Sequence, residues 1–168
     1  MFLNVAKAIC SNLNMMSCLK EAMQIREDEG YVDYVYEDTE GHLTAGIGHK
    51  LRGQELLRYK EGQEVDPDTI NDWFWEDLLS ASLDVSVLLK KHIGPNHCDE
   101  VKAILLNMVF NLGLPRLLGF KKMLACLKEH DYKGAAFEME DSLWWRQVGG
   151  RAERLKARME QVANERRS

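Results

Sequence analysis

Asp66-Pro67 marks the start of the longest periodic run in the chain. An acidic N-cap accepts hydrogen bonds from the free amides of a first helical turn. Proline at the first helical position gives up an amide that would have no partner anyway. Ile70, Trp73, Phe74, Asp77 and Leu78 then carry a helical rhythm to about His92, and Gly94-Pro95 breaks it. A helix of about 25 residues spans nearly 40 Å at roughly 1.5 Å per residue. That is more than one small lobe needs. The expectation is two lobes joined by a long helix, with an active groove beside it.

The chain differs in character on either side of this helix. From Asn14 to Glu29 the pattern is helical, with Met15, Leu19, Ala22, Met23 and Ile25 mostly on one side and Gly30 as the stop. Gly30 to Thr44 is β-branched and aromatic, which predicts short strands. Asp38-Thr39-Glu40-Gly41 has the turn chemistry to join two of them. Lys50 to Glu64 is polar and predicts a loop with one weak helical turn around Glu55 to Tyr59. Beyond Pro95 everything is helical: Val101 to Leu112 with Gly113 as its stop, Phe120 to Leu127, Tyr132 to Met139, Leu143 to Gln147, and an Arg-rich segment from Arg151 to Ala163. The expected organisation is an extension over 1–18, a small-sheet lobe over 19–66, the linking helix over 67–92 and a helical lobe over 93–168. The class is α+β, mainly α.

A chain of 168 residues can bury a core without metals or disulfides. The net charge of −5 gives no sign of a nucleic-acid partner, nor of simple attraction to an anionic polymer. Cys10, Cys18, Cys98 and Cys126 lack CxxC spacing, so zinc is not expected. On one helix Cys10 and Cys18 would lie about 12 Å apart, too far for a disulfide, and free thiols in a reducing compartment are expected. The apolar N-terminus is interrupted by Asn4, Lys7, Asn12 and Asn14 and makes a poor signal peptide. Synthesis in the cytoplasm and no stable membrane insertion are the expectations.

The chemistry-bearing stretch is Glu29 to His49, EGYVDYVYEDTEGHLTAGIGH. Glu29 would end the first helix and Asp38 would sit at a strand tip facing it, with Thr44 six positions further on. A helix-end carboxylate opposite a strand-end carboxylate suits glycoside hydrolysis. There one acid protonates the leaving oxygen while an ionised partner steadies an oxocarbenium-like state or activates water. Such a pair needs unlike environments to drive the two proton affinities apart. Glu29 is the expected acid, Asp38 the expected ionised partner, and the Thr44 hydroxyl the expected holder of water.

Glu29-Gly30, Asp38, Gly41 and the run Thr44 to His49 resemble the phage-type lysozymes, and the spacing of Glu29, Asp38 and Thr44 is that family's own. LNMVFNLG (Leu106 to Gly113) and DSLWWRQVGGRAERL (Asp141 to Leu155) resemble two further blocks of the family, in the same order. The resemblance implies a two-lobed lysozyme that cleaves the β-1,4 bond between N-acetylmuramic acid and N-acetylglucosamine in bacterial peptidoglycan, with inversion. It implies a monomer acting on the cell wall, with no metal and no cofactor. A catalytically inactive peptidoglycan-binding module and a lytic transglycosylase are the alternatives.

The same resemblance assigns supporting roles. It sets His49 against Asp77, a pair expected to tie sheet to helix and raise the imidazole pKa. It brings Arg151 near the catalytic glutamate. It implies substrate contacts at Phe110, Lys50, Met123 and Glu138, although only Phe110 matches the family residue type. Asn107 and Asn111 interrupt an apolar helix and need partners if buried. Trp73 and Trp144 are expected in the core, with Trp75 and Trp145 partly exposed. Arg146, Arg151, Arg154, Lys156, Arg158, Arg166 and Arg167 are expected to form a solvated helix face offset by nearby acids.

Overall fold

The computed structural model describes residues 13–166, so the expected extension up to residue 12, Cys10 and Arg167 lie outside it. Nine α-helices and one three-stranded sheet occupy the described residues: α1 Met15–Glu29, β1 Val32–Glu37, β2 Leu43–Gly46, β3 His49–Lys50, α2 Glu55–Arg58, α3 Pro67–Leu88, α4 Asp99–Leu112, α5 Leu114–Leu117, α6 Lys121–Lys128, α7 Tyr132–Glu140, α8 Leu143–Val148 and α9 Gly150–Glu165. A single π-helical turn, Leu89–Ile93, prolongs α3 before Gly94 ends it. The class is α+β, mainly α, with a lysozyme-like order of elements.

Two compact units divide the chain, one of residues 22–80 and one of residues 1–21 with 81–168. The divisions fall inside α1 and α3.

The smaller unit holds the antiparallel sheet in the order β1-β2-β3. β1 alternates strictly at its centre: Val35 is fully buried while Tyr34 and Tyr36 project from the other face. The segment after α2 adds to the sheet edge by backbone bonds alone. Gly62 and Val65 donate to Val35 and Asp33, and Val35 donates to Gln63. Sequence patterning treated this segment as loop, because backbone pairing leaves no signature in side chains. Asp66 caps α3 through the Thr69 amide at 3.2 Å, as the Asp-Pro signal predicts. Ile70, Phe74 and Leu78 form its buried stripe.

The larger unit is helical and centred on α4. Val101 and every residue from Ala103 to Val109 are buried, so this helix is apolar nearly all round, as a central core helix must be. α7, α9 and α6 contribute Ala135, Ala136, Met139, Leu155, Met159 and Leu127 to the core. Trp144 joins it, its indole donating to Asn111 at 2.9 Å. Trp75 and Trp145 are half-buried.

α1 departs from the sequence reading. Its buried face is Cys18, Glu21, Ala22 and Ile25, whereas Met15, Met16, Leu19 and Met23 are exposed. Glu21 displaces the expected apolar stripe because it has buried partners. Its carboxylate accepts from the Asn107 amide at 2.7 Å and from Arg158 at 2.7 Å. Asn107 in turn accepts from Arg151 Nε at 2.7 Å. Arg158 also pairs with Glu100, and Lys156 pairs with Glu140 and Glu160. Two members of the expected basic face, Arg151 and Arg158, are thus spent inside the unit. Cys18 is buried, Cys126 half-buried and Cys98 exposed.

Candidate active site

Gly30, at φ +74°, turns the chain out of α1 directly after Glu29. The half-buried Glu29 carboxylate lies against the turn that joins β2 to β3. A Cβ on Gly48 would come within 3.0 Å of Glu29 Oε2, and Gly48 has φ +69°. Glycine is therefore needed there twice over, for backbone conformation and for room beside the acid.

Asp38 follows the end of β1 and folds its carboxylate back over the turn. Oδ1 accepts from the amides of Glu40 and His42, both at 2.8 Å. Oδ2 faces Lys50 Nζ at 3.1 Å. The His42 amide, the Lys50 ammonium and the Glu40 amide outweigh the opposing effect of desolvation and hold the carboxyl far below the usual carboxylate range. Asp38 is thus an ionised group at any ordinary pH. Lys50 also bonds Glu40 at 2.8 Å, and these two acids raise its own pKa.

Thr44 is 3% exposed, and its hydroxyl donates to the His42 carbonyl at 3.2 Å. With its proton so engaged, the oxygen is left to accept. Directly opposite in the β1–β2 ladder stands Tyr36. Burial first, then Asp38, Glu29 and Tyr34, raise the Tyr36 phenol pKa, with Lys50 opposing. Both carboxylates therefore act on one hydroxyl. Sequence reasoning missed Tyr36, because in a strand it looks like ordinary β-propensity.

His49 is buried between two acids: Nδ1 meets Asp77 at 2.7 Å and Nε2 meets Glu55 at 3.1 Å. Its ring stacks on Trp73 at 4.5 Å. Burial works against the imidazolium, yet the bonds and charges of Asp77 and Glu55 outweigh it and raise the pKa. Arg52 adds a 2.8 Å ion pair to Asp77. This cluster joins β3, α2 and α3. A cavity of about 550 Å³ nearby is lined by Arg52, Glu55, Arg58, Tyr59, Trp73 and Glu76 among others, and borders none of Glu29, Asp38 or Thr44.

The remaining candidates are distributed otherwise than the resemblance implies. Met123 is 1% exposed, and its packing in the core leaves a sugar no surface to touch. Lys50 is committed to Asp38 and Glu40. Glu138 is half-buried, 3.8 Å from Lys122, and Phe110 is half-buried on α4. Arg151 is buried with its Nε on Asn107. Ligand atoms of Asp38, Glu40 and His42 lie within 4.8 Å of one another. Lys50 Nζ already lies beside the two carboxylates of that group, so a cation would have to displace it.

A helix-end glutamate beside a glycine turn, with an ionised aspartate past the end of β1 and a hydroxyl on β2, is an arrangement that glycoside hydrolysis can use. The phage lysozyme family model matches residues 26–162, and the chain belongs to that family. It is 33% identical over 159 residues to probable T4-type lysozyme 1 of Dictyostelium discoideum, covering 84% of this chain and 92% of that protein. Probable T4-type lysozyme 2 of the same organism is 31% identical over 160 residues, with the same coverage. The pre-baseplate central spike protein Gp5 of Enterobacteria phage T4 is 32% identical over 155 residues, which is 80% of this chain and 26% of that longer protein. The protein is a lysozyme, a muramidase whose family acts on peptidoglycan. Among the described residues, no helix is long and apolar enough to cross a membrane.

Proposed function

We propose that this lysozyme hydrolyses the β-1,4 bond between N-acetylmuramic acid and N-acetylglucosamine with inversion, lysing bacterial cell walls. Glu29 donates the proton to the leaving oxygen. Asp38 and Thr44 hold the water that attacks the opposite face of the sugar. The observation that carries this reading is the state of Asp38: two amides and an ammonium keep it ionised. Its anion stabilises positive charge as the sugar flattens toward an oxocarbenium ion. A carboxylate of such low proton affinity is a weak base. It accepts the proton of the water late, once the developing cation has made that water acidic. The Thr44 oxygen accepts the other hydrogen, which aims a lone pair at the anomeric carbon.

Inversion requires room for this water between the two carboxyl groups, roughly 6.5–9.5 Å in enzymes of that kind. Reducing-end release from purified peptidoglycan, with the product anomer read by NMR at short times, tests the reading. An initial α-anomer at a hydrated muramic end is expected. A β-anomer would refute inversion, an anhydro end would identify a lytic transglycosylase, and no release would identify a binding module.

A further inference from the structure

Tyr36 is a side chain beside Thr44 and Asp38 that the proposed mechanism leaves without a task. On β1 the face carrying Val35 is sealed in the core, and Tyr36 points the other way with Tyr34. The two rings meet edge to face, 6.5 Å between centroids and 68° between planes. This contact restricts where the Tyr36 hydroxyl can swing. Across the ladder its partner is Thr44. Directly opposed residues put their side chains on one face, with Cβ atoms about 4.5–5.5 Å apart. Asp38 comes two positions after Tyr36, at the turn where β1 ends, and Glu29 lies against the turn leaving β2.

We propose that the Tyr36 hydroxyl is a positioning group for the hydrolysis, a neutral donor that orients the water shared by Asp38 and Thr44. The proposal rests on the mechanism given above. The alternative is a strand residue whose ring merely packs.

The electrostatics agree with the geometry. Burial, Asp38, Glu29 and Tyr34 keep the phenol protonated against the pull of Lys50. The hydroxyl therefore adds no third negative charge to a site that must gather positive charge on the sugar. A neutral O–H can donate to a carboxylate or to water throughout the reaction.

Tyr36→Phe removes the oxygen and keeps the ring, and Tyr34→Phe is the control on the other member of the aromatic pair. The assay is reducing-end release from purified peptidoglycan across pH, with thermal melting alongside. For Tyr36→Phe, kcat should fall by about tenfold, the kinetic equivalent of one lost hydrogen bond to the attacking water. KM should stay within about twofold, since the group acts on the reacting assembly rather than on uniform binding. The acid limb of kcat/KM should stay in place, because Asp38 keeps its two amides and Lys50. The melting temperature of Tyr36→Phe and the activity of Tyr34→Phe should both match the wild type. A Tyr36→Phe enzyme with wild-type kcat overturns the proposal, as does an effect confined to KM. A fall in activity that only follows a fall in melting temperature overturns it too. Failure of the wild type to release reducing ends would sink the parent reading and this one with it. An active wild type with an unaffected variant sinks this one alone.

Discussion

The sheet-bearing unit and the helical unit treat buried polarity in opposite ways. In the helical unit Glu21, Asn107 and Arg151 are buried and joined by side-chain bonds beside α4, and the chain reaches water through Arg158, which bonds Glu21 and Glu100. In the sheet unit the acids stay near water. Asp38 keeps 17% of its side-chain surface and is satisfied by backbone amides and an exposed ammonium. Full satisfaction in a dry interior makes for rigidity, since every lost partner strands another group. Satisfaction by backbone dipoles at a strand end leaves an oxygen able to meet a substrate. The glycines mark the same contrast: the sheet unit spends Gly30 and Gly48 on bringing Glu29 to a turn.

Substitutions in each unit should separate these two uses of polarity. The largest effect belongs to Glu29→Gln, which keeps the shape and removes the proton. Peptidoglycan hydrolysis should fall by about 10²–10⁴-fold while the melting temperature stays near wild type. A variant that still clears cell-wall suspensions normally would remove Glu29 from the reaction. In the helical unit the converse is expected. Asn107→Leu removes the bond that Glu21 and Arg151 each make to the Asn107 side chain, at a position with no exposure, and should cost about 3 kcal/mol in denaturant unfolding. A neutral result there would show that the network is not what holds α1, α4 and α9.

Lys50→Met should act on pH dependence more than on stability. Without the ammonium, the Asp38 carboxyl rises toward its ordinary range, and the acid limb of activity should move to higher pH. The exposed pair itself contributes less than about 1 kcal/mol to folding. The smallest effect is expected at His49. Its folded-state pKa is raised, so its stabilising charge is complete below about pH 6.5 and is lost as pH climbs through the raised value. Melting temperature should therefore decline above neutrality in the wild type. In His49→Asn, which can bond Asp77 but cannot titrate, that decline should flatten.

Much of this was legible before any coordinates. Asp66-Pro67 and Gly94 bounded the long helix, and Gly30 ended α1, because capping is written in adjacent residues. Glu29, Asp38 and Thr44 lie within one short stretch, so their spacing is open to reading from the sequence. The buried face of α1 was misread, since Glu21 looks like any solvated helix acid until Asn107 and Arg158 arrive from far along the chain. Met123 was assigned to substrate by position, and packing enclosed it. Tyr36 carried no signal beyond β-propensity.

The amino-acid order alone determined which groups exist for chemistry and where helices and turns begin and end, because those depend on neighbours within a few residues. Tertiary structure decided their states. It lowered the proton affinity of Asp38 through the turn amides and Lys50, tied His49 to Asp77 and Glu55, and paired buried Glu21 with Arg158. A side chain's charge and burial depend on distances of a few ångströms between atoms. Only the folded chain sets those distances.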